Sequence, residues 1–157
     1  MADFRDRLRK TRDRASSEAE RKKQAEAEAK KQRRDTRTLV DQTADAIEAH
    51  IESRLVEFQS EYLEFRRDSR THDGRHLRVF WDEPLAGKKK TYHELSFHVR
   101  RYHDYADVEV VAKCIVRNRD RRRRSLEEDV HEGDPKRFEP FVESEILAFA
   151  QIYSGAD

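Results

Sequence analysis

Arginine occupies positions 117, 119, 121, 122, 123 and 124, interrupted only by Asn118 and Asp120. Planar guanidinium forks match phosphate oxygens, and a protruding arginine-rich turn can reach a nucleic-acid backbone. Together with the basic first 37 residues, Arg117, Arg119, Arg121, Arg122, Arg123 and Arg124 form the strongest nucleic-acid signal in the chain. The signal is non-specific. No aromatic interleaves it, and no helix-turn-helix, zinc-finger or RNP-type pattern accompanies it. The competing reading is a solvated turn whose arginines pair with Glu127, Glu128, Asp129 or acidic groups on a long helix.

The other reactive side chains are scattered. His72 and His76 bracket Asp73, with Gly74 breaking any helix that would align them; His93 and His98 alternate to opposite strand faces. No cysteine pair and no His-Glu-x-x-His spacing points to zinc. Cys114 sits in an apolar alternation, where a thiol packs as a small hydrophobe. Gly-rich phosphate loops and nucleophile elbows are absent from the sequence. His93 shares a face with Leu95 and Phe97. It reads as a core histidine with a hydrogen-bond partner, the alternative being a pocket lined with Tyr62 or Trp81. The expectation is a chain without catalytic, cofactor or metal residues.

The elements that position these groups follow from composition and periodicity. Of 157 residues, 43% are charged and 35% apolar, so part of the chain must be a solvated helix or tail. Four glycines and three prolines favour a few long elements. The net charge of +1 conceals blocks: residues 1–37 carry 14 basic against 8 acidic side chains, and residues 126–157 carry 2 against 9. Residues 1–37 hold strong helix formers and, apart from Phe4 and Leu8, almost nothing to bury. They are expected to be a charged helical extension or a disordered arm.

From Leu39 an apolar stripe appears. Val40, Ala44, Ile47, Ile51, Leu55, Phe58, Tyr62 and Phe65 step by three and four, one helix face. Ile51 to Phe65 also fits coiled-coil heptad positions, with Val56 and Leu63 widening the stripe. A helix is expected over 38–70. Strands are expected over 76–82, 91–101 and 107–118, each alternating, with a surface connection over 83–90. A fourth, edge strand over 122–131 follows from register. A three-residue loop Arg119-Asp120-Arg121 sets Cys114 against Leu126 and Val110 against Val130, keeping apolar with apolar. Its charges discourage edge-to-edge pairing. A helix over 139–154 closes the chain.

The fold class is therefore α+β: a long N-terminal helix, a curved four-stranded antiparallel sheet and a short C-terminal helix. Residues 38–157 form the domain and 1–37 the extension. A long helix crossed by a curved sheet resembles the general plan of cystatin-like and nuclear-transport-factor-like cones, a plan that hosts many unrelated functions. With two helices to cover two sheet faces, a second copy is the simplest cover, and Val56, Leu63, Phe80, Val111 and Ile115 are the expected dimer interface. The expected function is a non-enzymatic protein–protein interaction or scaffold protein, a homodimer in the cytoplasm. The alternative is a nucleic-acid-binding module using the arm and the arginine hairpin. A single cysteine and the lack of a long apolar run accord with a cytoplasmic protein outside any membrane.

Overall fold

Helix formers and apolar spacing combine into one element, α1, Phe4–Glu61. The computed structural model describes residues 3–85, 87 and 89–155. The chain divides into two units, Met1–Thr36 and Arg37–Asp157. In the first, every described residue through Asp35 is exposed, including Phe4 and Leu8. In the second, Val40, Ala44, Ile47, Ile51, Leu55 and Phe58 of α1 are buried, which is the expected stripe.

The helix ends at Glu61, nine residues before the expected Arg70. Tyr62 N–H donates to the Phe58 carbonyl, and Phe65 N–H to that of Tyr62, turning the chain. Phe65 still buries its ring, whereas Leu63 is 83% exposed. The next stretch is strand β1, Arg66–Thr71, paired antiparallel with β2, Arg75–Pro84. No apolar residue lies between Phe65 and Leu77, so helix packing has nothing to gain there. The edge of β2 offers a hydrogen-bond ladder instead, and Asp68 meets Arg78 across it at 2.6 Å. Asp73 and Gly74 make the turn with positive φ. A Cβ at Gly74 would collide with the Val99 carbonyl.

The sheet thus has five strands rather than four, in the order β1-β2-β3-β4-β5 and antiparallel throughout. β3 is Lys90–Tyr102, β4 is Asp107–Val116 and β5 is Arg119–Asp129. The expected connection 83–90 includes Ala86 and Lys88, which lie outside the described residues. A 3-10 turn, Pro135–Arg137, leads into α2, Phe138–Tyr153.

The β4–β5 register differs from expectation by four residues. Cys114 faces Arg122, not Leu126, and Val110 faces Leu126, not Val130. The turn sits earlier, at Arg117 and Asn118, both left-handed with φ of 51° and 65°. Two such residues make the tight hairpin turn that matches strand twist. Arg121 is then the additional residue of a bulge, since Ile115 pairs with Asp120 and Cys114 with Arg122. An even shift keeps each side chain of 122–130 on its expected face.

Leu77, Val79, Leu95, Phe97, Val99, Val108, Val110, Ala112, Cys114 and Val116 form one sheet face, all buried with the α1 stripe and with Phe138, Val142 and Phe149 of α2. Among the described residues of the second unit, no helix covers the opposite face. Among the described residues, no helix is long and apolar enough to cross a membrane.

Candidate interaction surface

The hairpin tip is anchored before it presents anything. Asn118 hydrogen-bonds both the N–H and the carbonyl of Tyr92, at 2.8 and 3.0 Å. Arg117, Arg119, Arg121, Arg123 and Arg124 are exposed. Arg122 is not part of that set. It turns to the covered face and holds Glu145 of α2 through two bonds, 2.8 and 3.0 Å. Glu145 is 5% exposed, so a buried carboxylate needs this guanidinium.

Two further arginines fasten the layers in the same way. Arg101 of β3 reaches Asp41, Asp45 and Glu48 of α1 at 2.8, 2.6 and 3.1 Å. His103 donates to Asp41 from Nε2 at 2.9 Å, and these two bonds hold the Asp41 carboxyl below its ordinary range. Arg137 covers Glu128 at 2.6 Å. Of the hairpin arginines, Arg122 takes its acidic partner from α2, not from Glu127, Glu128, Asp129 or the long helix as the solvated-turn reading expected.

The uncovered face is a lattice of charge around a few apolar groups. Arg78 grips Asp68 with two bonds, donates to Tyr92 Oη at 3.0 Å and lies 4.3 Å over the Phe80 ring. Burial, with Glu94 nearby, pushes the Tyr92 phenol up to about 12. The rings of His76 and His98 stack at 3.8 Å. His98 donates from Nε2 to the Asp73 carbonyl and accepts from Arg100 at Nδ1, so it is neutral. Its burial, first, and the charges of His76 and Arg100 lower its pKa.

Cross-strand neighbours on β4 and β5 break the usual rule of opposite charges. Lys113 stands opposite Arg123, Glu109 opposite Glu127 and Asp107 opposite Asp129. Burial, aided by Asp107 and Glu109, pushes the Glu127 carboxyl up. Basic charge collects at the hairpin end of this ladder and acidic charge at the other.

Of the expected dimer residues, Phe80, Val111 and Ile115 share the uncovered face, with Phe80 and Ile115 both flanking Glu94. Val56 lies on α1 and Leu63 in the turn that follows it, exposed at 47% and 83%. The structure does not bring the two groups together.

His93 is 1% exposed, donating from Nε2 to Glu83 at 2.9 Å and accepting the Arg117 N–H at Nδ1. Both ring nitrogens are thus in use, and the ring packs on Tyr153. Cys114 is buried, which raises its thiol pKa. Among the described residues, no three His, Cys, Asp or Glu side chains are arranged to hold a metal. A shallow groove of 310 Å³ runs between α1 and the start of α2, lined by Ala46, Ile47, His50, Pro135 and Phe138.

No family model, curated protein or solved structure matches the chain. Its function must be argued from the surface. That surface was partly missed in the sequence: the like-charge pairs depend on a register set by the Arg121 bulge. The run of four arginines followed by Ser125, Leu126 and three acids was visible throughout.

Proposed function

We propose that the chain is a non-enzymatic interaction or scaffold protein that works as a homodimer in the cytoplasm. The observation that supports it best is the first unit, a helix whose side chains are exposed from Phe4 to Asp35. Glu18 and Lys22, and Glu26 and Lys30, stand at the i,i+4 spacing that favours such a helix. A charged helix of this kind offers a partner many ion-pairing positions at little desolvation cost. The half-buried Phe80, Val111 and Ile115 on the open face accord with a protein-binding role. A photocrosslinking side chain at Ala19 should give adducts of discrete mass in cells. Recovery of the uncrosslinked chain alone would overturn the reading.

A second reading has its own observation, the five exposed arginines of the hairpin. They would bind a nucleic-acid backbone electrostatically. Replacing Arg121, Arg123 and Arg124 by Ser, while leaving Arg122 to hold Glu145, should flatten the salt slope by about 0.9 per lost duplex phosphate contact. Failure of the wild type to bind duplex at low salt ends this alternative.

A further inference from the structure

We propose that β5 of one copy pairs antiparallel with β5 of a second copy, with Ser125 on the two-fold axis, joining two sheets into one. The proposal rests on the homodimer reading and gives it an interface.

β5 is the last strand of the sheet, and Arg123, Arg124, Ser125 and Glu127 on it are exposed. Its outward N–H and C=O groups are therefore open to another strand. Charged edges ordinarily deter such pairing, but here the charges are ordered. Residues 121–124 are all basic, Ser125 and Leu126 are neutral, and residues 127–129 are all acidic. A two-fold axis reverses the strand, so the basic half of one copy lies along the acidic half of the other. An isologous contact needs this kind of self-complementarity.

Register follows from the pleat. Side chains that meet across the axis must lie on the same face, so their positions sum to an even number. With Ser125 on the axis, Arg123 meets the partner's Glu127 and Arg121 meets the partner's Asp129 on the open face. Placing Arg124 on the axis would set that arginine against itself. Placing Leu126 there would set Arg122 against the partner's Val130. Arg122 and Glu128 already have Glu145 and Arg137, and Asp129 Oδ1 already accepts the His131 and Glu132 N–H groups, so discrimination falls on Arg123 and Glu127.

Those two residues are served badly by the single chain. Arg123 faces Lys113 and Glu127 faces Glu109, like against like. The partner strand supplies each with the opposite charge that its own sheet withholds, twice per dimer.

The test uses the full chain. Sedimentation equilibrium should give the wild type twice the 18.8 kDa of one chain. Arg123→Glu and Glu127→Arg should each raise the dimer dissociation constant at least about tenfold, since each turns two attractive pairs into repulsive ones. An equimolar mixture of the two variants should dimerise again, as should the doubly swapped protein. Neither substitution threatens the fold, because each puts opposite charges on facing β4 and β5 residues; circular dichroism should be unchanged. Ser125→Cys should oxidise to a covalent dimer, the facing Cα atoms being about 4.5–5.5 Å apart in either type of antiparallel pair. A wild type that stays monomeric at about 100 μM overturns both the homodimer and its interface. A wild-type dimer that neither variant weakens leaves the homodimer standing and overturns the β5 pairing.

Discussion

Asn118 and Tyr92 exchange two hydrogen bonds, the Asn118 N–H donating to the Tyr92 carbonyl and the Tyr92 N–H donating to Asn118 Oδ1. The β4–β5 turn is thereby tied to β3, one strand beyond its own hairpin. Asn118→Ala removes the side-chain acceptor and forces alanine to a φ of 65°. It should destabilise the fold by about 1–3 kcal/mol, whereas Asn118→Gly, relaxed at that φ, should lose less. Urea unfolding of the two variants checks the order. Equal losses would mean that the conformation of this residue contributes nothing.

The same turn shows what could be read from the chain alone. The α1 stripe and the alternation of β2, β3 and β4 were legible because burial imposes periods of 3.6 and 2 on apolar residues. The β5 register was not. Its faces followed from parity, but a left-handed arginine at 117 and a bulge at Arg121 leave no apolar mark. β1 was hidden for a related reason: Arg66–Thr71 contains no apolar residue, and its strand identity comes from the edge of β2 and from the Asp68–Arg78 pair. Among site residues, the exposed arginines were legible, and the inward turn of Arg122 depended on where α2 places Glu145.

Arg101 joins β3 to three carboxylates of α1, one of them the buried Glu48. Arg101→Met leaves Glu48 desolvated without its cation. A loss of roughly 2 kcal/mol is expected, below the ~3–5 of a fully buried pair because the guanidinium is partly solvated. Adding Glu48→Gln should recover part of the loss. A double variant no more stable than Arg101→Met would show that the Glu48 charge is not what matters.

Acid should weaken the fold in two stages. The His98 pKa lies below its usual 6.5, so the unfolded chain takes the proton first and stability falls as pH drops from about 6.5 through the folded value. Protonation at Nδ1 also sets an N–H against Arg100 Nε, which now donates to that atom. Asp41 and Asp68 are lowered from 3.8, chiefly by hydrogen bonds from His103 and from Arg78 respectively. Their contribution is present above 3.8 and is lost as pH falls through their folded values. Denaturation midpoints between pH 7.5 and 5 should fall for the wild type and fall less for His98→Gln. Equal slopes would assign the first stage to another group.

Residues before Arg37 bury nothing among the described residues of their own unit, so their removal should leave the melting temperature of 37–157 within a few degrees. Differential scanning calorimetry compares the two chains directly. Loss of a cooperative transition in the shorter one would mean that the first unit supports the second.

The most direct test of the β5 contact is amide hydrogen exchange along both sheet edges as a function of protein concentration. The outward amides of β5 between Arg121 and Asp129 should become protected as concentration rises, while those of β1, the other edge, stay fast at every concentration. Exchange in β5 as fast as in β1, and independent of concentration, would contradict a second copy on that edge.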